Sequence, residues 1–137
     1  MKFLLVAILV AAVLFTAQAI SDEQKTIFKK FYTECTESTG VEADLIVKMR
    51  KAEFTDNDEK LAAYYHCMMV KLGFQSPEGA FNVNAITDKI PENLNREDTI
   101  KSINLCVASA GEGTPEQSAY KVFKCFIQSV DKEIKFF

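Results

Sequence analysis

Four cysteines, Cys35, Cys67, Cys106 and Cys125, and a single histidine, His66, are the residues of this 137-residue chain that could act as soft metal ligands or as a nucleophile and its base. Zinc sites draw on close ligand pairs, roughly two to four residues apart, and the two nearest cysteines, Cys106 and Cys125, stand much farther apart than that. A cysteine nucleophile needs a free thiolate, and a histidine base needs a carboxylate placed to orient it. His66 is followed directly by Cys67, without the His-Asp pair and calcium loop on which small secreted phospholipases depend. The expectation is no metal, no cofactor and no catalysis, with His66 a partly exposed polar residue on a helix.

What the cysteines do instead depends on the compartment. Lys2 supplies a positive charge, Phe3 to Phe15 is an unbroken apolar run, and Ala17-Gln18-Ala19 has the small-x-small form of a signal-peptidase site. The run is about thirteen residues, short of the roughly twenty that span a bilayer, and Gln18, Ser21, Asp22 and Glu23 follow at once. Residues 1–19 therefore read as a signal peptide and residues 20–137 as one secreted domain. In an oxidising compartment the four thiols should pair, in any of the possible combinations. Loss of Lys2 with the leader takes the net charge from −3 to −4, which offers no basic stripe to nucleic acid and no cationic face to anionic lipid. No second apolar run could insert in a membrane, and no Asn-x-Ser/Thr sequon is present.

The elements that must hold these cysteines are helices. Ser21 with Gln24 resembles a capping box, and Ile27, Phe28, Phe31, Tyr32 and Cys35 follow at helical spacing until Gly40. A second helix is predicted over 42–51 with Leu45, Ile46 and Met49 on its stripe. A third, capped by Asp56 or Asn57, runs to Leu72 and stops at Gly73. After the turn Ser76-Pro77-Glu78-Gly79 comes a weak helix over 83–89, ended by Pro91. Asn95 caps a fifth that closes at Gly111. Thr114-Pro115-Glu116-Gln117 starts a sixth with Thr at the cap, Pro at the first helical position and Gln three residues on, running to about Lys132. No stretch alternates with period two long enough for a sheet, so the fold class is all-α, six helices stapled by disulfides.

Two of these helices face more than one way. At about 100° per residue, Ala63, Val70 and Phe74 cluster around Cys67, whereas Leu61, Tyr65, Met68, Met69 and Leu72 form the opposite arc. The sixth helix carries Ala119, Phe123, Phe126, Ile127, Val130 and Ile134 on one stripe, with Lys121, Lys124, Gln128 and Lys132 opposite. Phe136 and Phe137 make an apolar terminus that is costly in water unless it docks.

The segment Tyr64-Tyr65-His66-Cys67-Met68-Met69-Val70-Lys71-Leu72-Gly73-Phe74, the long gap to Cys106, and Lys121-Val122-Phe123-Lys124-Cys125-Phe126 together resemble the insect odorant-binding protein family of pheromone and general odorant-binding proteins. Cys35, Cys67, Cys106 and Cys125 match the first, third, fourth and sixth cysteines of that family's six-cysteine pattern. The second and fifth, which are partners there, are Ala63 and Glu116 here, a paired loss that resembles the four-cysteine Minus-C subclass. Ala63 suits a buried helix face and Glu116 the first turn of a helix.

The resemblance covers essentially the whole chain. It implies bridges Cys35–Cys67 and Cys106–Cys125 and a compact bundle around an apolar ligand cavity, with no third bridge tethering the third helix to the sixth. It further implies a soluble carrier for small apolar ligands of odorant, pheromone or fatty-acid type, acting in sensillar lymph or haemolymph as a monomer or weak dimer, with a chemosensory receptor as a candidate partner. The residues expected against the ligand are Tyr65, Met68, Met69 and Leu72 from the third helix, Phe123 and Ile127 from the sixth, and Phe137 as a lid. Tyr65 could present its hydroxyl to a ligand oxygen. The alternative is a haemolymph or seminal-fluid protein that acts through a protein partner.

Overall fold

Four helix starts in the computed structural model are set by side chains that accept backbone amides. The structure describes residue 23, residues 25–90, residue 92 and residues 94–129. The leader, the Ser21–Gln24 cap, Pro91 and the tail from Val130 to Phe137 lie outside the described residues. Within them are six helices: α1 (residues 25–39), α2 (Ala43–Arg50), α3 (Glu59–Lys71), α4 (Val83–Thr87), α5 (Arg96–Ser109) and α6 (Pro115–Ser129). One isolated bridge, Gln75 to Phe81, is the nearest approach to a strand among the described residues.

The Asn95 side chain accepts from Asp98 N at 3.0 Å and starts α5. At α6 the reciprocal box is complete: Gln117 N donates to Thr114 Oγ1 at 3.2 Å, and Thr114 N donates to Gln117 Oε1 at 3.3 Å. The start of α3 departs from the sequence expectation, because Asp58 is its cap, accepting from Leu61 N at 2.8 Å. Asn57 stands at φ 67°, a left-handed conformation that cannot serve as the extended cap residue, and the Asp56 carboxylate is engaged elsewhere. Gly73, at φ 77°, ends α3 as expected.

Burial follows the helix faces. Leu61, Tyr64, Tyr65 and Met68 of α3 are fully buried, with Ala62 and Met69 nearly so, and α3 packs most extensively against α6, whose Ala119, Val122, Phe123 and Ile127 are buried in turn. Ile46 and Met49 of α2 are fully enclosed, and Phe28, Phe31 and Tyr32 of α1 lie partly buried against the same core. Four aromatic rings run through it in sequence. Tyr32 meets Tyr64 edge-on at 6.1 Å, Tyr64 meets Tyr65 edge-on at 5.1 Å, and Tyr65 stacks on Phe123 at 4.5 Å.

Cys35 is bonded to Cys67, joining α1 to α3, and Cys106 to Cys125, joining α5 to α6. The bridges span 32 and 19 residues, which corresponds to about 3 to 4 kcal/mol each in the chain-entropy account. The central pair, α3 and α6, has no bridge, and two polar tethers stand in its place. Gln75, almost fully buried, donates from Nε2 to Pro115 O at 3.0 Å while its Oε1 accepts from His66 Nδ1 at 2.8 Å, so α3 is linked through one amide to the start of α6. That acceptor role puts the imidazole proton on Nδ1. Gly79 lets the intervening loop close on α6, since a Cβ there would sit 3.3 Å from the Pro115 ring. In the second tether Asp56 receives Tyr120 Oη at 2.7 Å and Lys124 Nζ at 2.9 Å and 3.0 Å, and the Lys124 ammonium lies 5.2 Å from the Phe54 ring centre.

Two outcomes follow from these tethers. Gln75→Leu leaves the Pro115 carbonyl and the His66 N–H without their partner, and a loss of about 2 kcal/mol is expected in chemical denaturation. An unchanged midpoint would mean the amide carries no tension between the helices. At the second tether, hydrogen bonds from Lys124 and then Tyr120 hold the Asp56 carboxyl below its usual 3.8. Its contribution is therefore present above that value and is lost as the pH falls through the lowered one, and half-exposure of Asp56 keeps it small. Asp56→Asn should flatten the acid limb of the melting temperature against pH below about pH 4.

Candidate functional site

Where α3 ends, the chain leaves a space that its own side chains do not fill. Met69 from α3, Phe74 just after it, Ile86 from α4, Ile103 and Cys106 from α5, and Val122, Phe123 and Phe126 from α6 surround a cavity of about 60 Å³. The turn after α4 completes the wall with Lys89 and Ile90. Every lining side chain but Lys89 is apolar, with the Cys106 sulfur held in its bridge.

Each wall has a local cause. The spacing of Ile103 and Cys106 on α5, and of Val122, Phe123 and Phe126 on α6, is that of neighbours on one helix face, and the Cys106–Cys125 bridge keeps the two helices side by side. Phe74 is placed by two backbone bonds, donating to Met69 O at 2.8 Å and accepting from Asn82 N at 2.8 Å. The short α4, capped by Asn82 accepting from Ala85 N at 3.1 Å, carries no fully buried residue. Ile86, Ile90 and Phe126 are half-buried and Lys89 is exposed, so the cavity meets solvent on the α4 side.

The seven residues expected against a ligand fall in different places. Met69 and Phe123 line the cavity. Tyr65 lies behind Phe123, stacked on it, and Met68 is enclosed in the core. Leu72 is half-buried at the end of α3, and Ile127 is buried on α6; neither is on the lining. Phe137 lies outside the described residues. Phe74, Ile86, Lys89, Ile90, Ile103, Cys106, Val122 and Phe126 complete the wall without having been singled out as ligand contacts. Phe126 sits on the apolar stripe of α6, and Ile86 and Ile90 lie four residues apart, so a signal for these three exists in the sequence.

Chemically the arrangement offers apolar contact area, to which Lys89 adds its side chain from the solvent side. All four cysteines are in bridges, and no cluster of three or more His, Cys, Asp or Glu side chains suited to a metal ion occurs among the described residues. Burial pushes the Tyr64 and Tyr65 phenols far above the usual tyrosine range, which keeps both protonated. No described helix is long and apolar enough to cross a membrane.

Comparison with known proteins agrees with this architecture. The chain is 28% identical over 116 residues to the B1 protein of Tenebrio molitor, covering 84% of this chain and 87% of that one. It is 29% identical over 120 residues to odorant-binding protein 22 of Aedes aegypti, covering 87% and 82%. The crystal structure of an odorant-binding protein from Locusta migratoria superposes with a TM-score of 0.65 at 24% identity, over 74% of this chain and 77% of that one, which places the two in the same fold. The family model of the PBP/GOBP family matches residues 17–129, and the chain therefore belongs to that family, the insect odorant-binding proteins.

Proposed function

We propose that this protein is a secreted, non-enzymatic carrier that takes a small apolar ligand into the cavity between α3, α4, α5 and α6. The observation that carries the proposal is the lining: apolar side chains from four helices converge on one space. Relatives named as odorant-binding proteins support the same reading. The apolar run before Ile20 supports export, with residues 1–19 removed.

At about 60 Å³ the cavity is far below the roughly 300 to 1,000 Å³ of small-molecule sites, so a ligand must displace part of the wall. The wall that yields at least cost is α4, a single turn without a fully buried residue. A ligand burying about 300 Å² of apolar surface gains roughly 7 kcal/mol from burial, from which the costs of association and of moving the wall are subtracted. Micromolar or weaker affinity is the consequence.

The absence of cysteine at positions 63 and 116 supports assignment to the Minus-C subclass. Ala63 lies one helical turn before His66, and Glu116 adjoins Pro115, so the Gln75 tether spans the segments that a third bridge would join.

Binding is tested by titration with the fluorescent apolar probe N-phenylnaphthylamine. Ile86→Trp, which adds a ring at a half-buried position of α4, should fill the cavity and weaken the probe at least about tenfold while changing stability by less than about 1.5 kcal/mol. Full binding by this variant would move the site elsewhere. Ala63→Cys combined with Glu116→Cys should consume both new thiols and raise stability by about 2 kcal/mol in denaturation. Two reactive thiols in the folded double variant would contradict the subclass assignment.

A further inference from the structure

Arg96, the first residue of α5, donates from Nη1 to the carbonyl of Thr87, the last residue of α4, at 3.1 Å. We propose that Arg96 is a positioning residue that latches the end of α4 in place, and so lowers the affinity and slows the entry of any ligand larger than the resting cavity. The proposal rests on the carrier reading above and names what controls access to that site.

The short α4 is attached differently at its two ends. At its start the main chain is tied back to the end of α3, because Asn82 N donates to Phe74 O and Phe74 N donates to Met69 O, each at 2.8 Å. Along its length α4 packs on α5 without burying a residue fully. At its end the Thr87 carbonyl accepts twice, from Ile90 N at 3.3 Å, which closes the turn, and from the Arg96 side chain nine residues away in sequence. Ile86 and Ile90, on either side of that carbonyl in the chain, both line the cavity. Holding Thr87 therefore holds both isoleucines against the space.

Helix stability does not account for an arginine at this position. A cation in the first turn opposes the helix dipole, and Glu97 and Asp98 beside it are the residues that the dipole favours. Arg96 forms no ion pair among the described residues, so the carbonyl is the partner the fold gives it. The bond is exposed, and water competes for both of its ends, so it holds the turn at rest and yields at small cost. A cavity of about 60 Å³ has no room for a molecule with two fused rings and a third attached. Such a ligand enters by moving the wall, and breaking the Arg96 bond subtracts from its affinity.

The test compares the native protein with Arg96→Met, which keeps an unbranched stem and removes the donors, using N-phenylnaphthylamine as the probe. The expected result is binding about threefold tighter or more, the effect of one exposed hydrogen bond, with faster association in stopped-flow mixing. In the ligand-free variant the amides of Lys89 and Ile90, which close the turn, should exchange hydrogen faster than in the native protein. A residue that served stability alone would act with the opposite sign, its loss giving weaker binding in a loosened domain. Lys101→Met, elsewhere on α5 and off the lining, should match the native protein in every measurement. Unchanged or weaker probe binding in Arg96→Met, or native exchange rates at Lys89 and Ile90, would overturn the latch and leave the carrier reading in place. Failure of the native protein to bind the probe would remove the carrier reading and this proposal with it.

Discussion

Helix α3 has too much apolar surface to leave any broad side to water, and the rest of the domain is arranged to cover it. Tyr64 and Tyr65 point to different neighbours, the first towards Tyr32 of α1 and the second onto Phe123 of α6. Burying a helix on several sides takes partners on several sides, and the loss of water around its large side chains is the main term stabilising the assembly. The cavity lies where this covering is incomplete, at the end of α3 that Met69 occupies.

Covalent and polar restraints divide the work of holding those partners. The two disulfides fasten the outer pairs, α1 to α3 and α5 to α6, and act largely on the unfolded chain by shortening its excursions. Between α3 and α6 the restraints are hydrogen bonds, which stabilise only modestly but depend steeply on geometry. The Gln75 amide is almost fully buried, so its bonds to His66 and Pro115 are shielded from competing water, whereas the Asp56 cluster is half-exposed and screened. A domain built this way keeps its frame fixed and leaves the wall at α4 lightly attached.

Most of the fold was legible in the sequence because the caps are local. Asn95, Thr114 with Gln117, and Gly73 act within a few residues of themselves, so their roles can be read without knowing the tertiary structure. The start of α3 was not, because its cap is decided by the left-handed turn at Asn57 and by a distant lysine and tyrosine that occupy Asp56. The cavity was legible only in part. Periodicity shows which helix faces are apolar, but not which apolar faces meet and fill one another. Tyr65 and Met69 share an arc, yet Tyr65 is matched by the ring of Phe123 and Met69 borders open space. Lys89 belongs to a turn with no period of its own, so only the chain's path could bring it to the wall.

The aromatic series in the core has an optical consequence. The chain contains four tyrosines and no tryptophan, so near-ultraviolet emission comes from tyrosine alone. Tyr65 rests on Phe123, a residue of the cavity wall, and Tyr64 is in edge contact with Tyr65. Any molecule that presses on Phe123 shifts the environment of two chromophores that water cannot reach. Tyr120, by donating to the Asp56 carboxylate, has an excited-state proton acceptor already in place and contributes a dimmer background. Tyrosine emission thereby reports on the packing around Phe123, a signal that stronger indole emission would otherwise have masked.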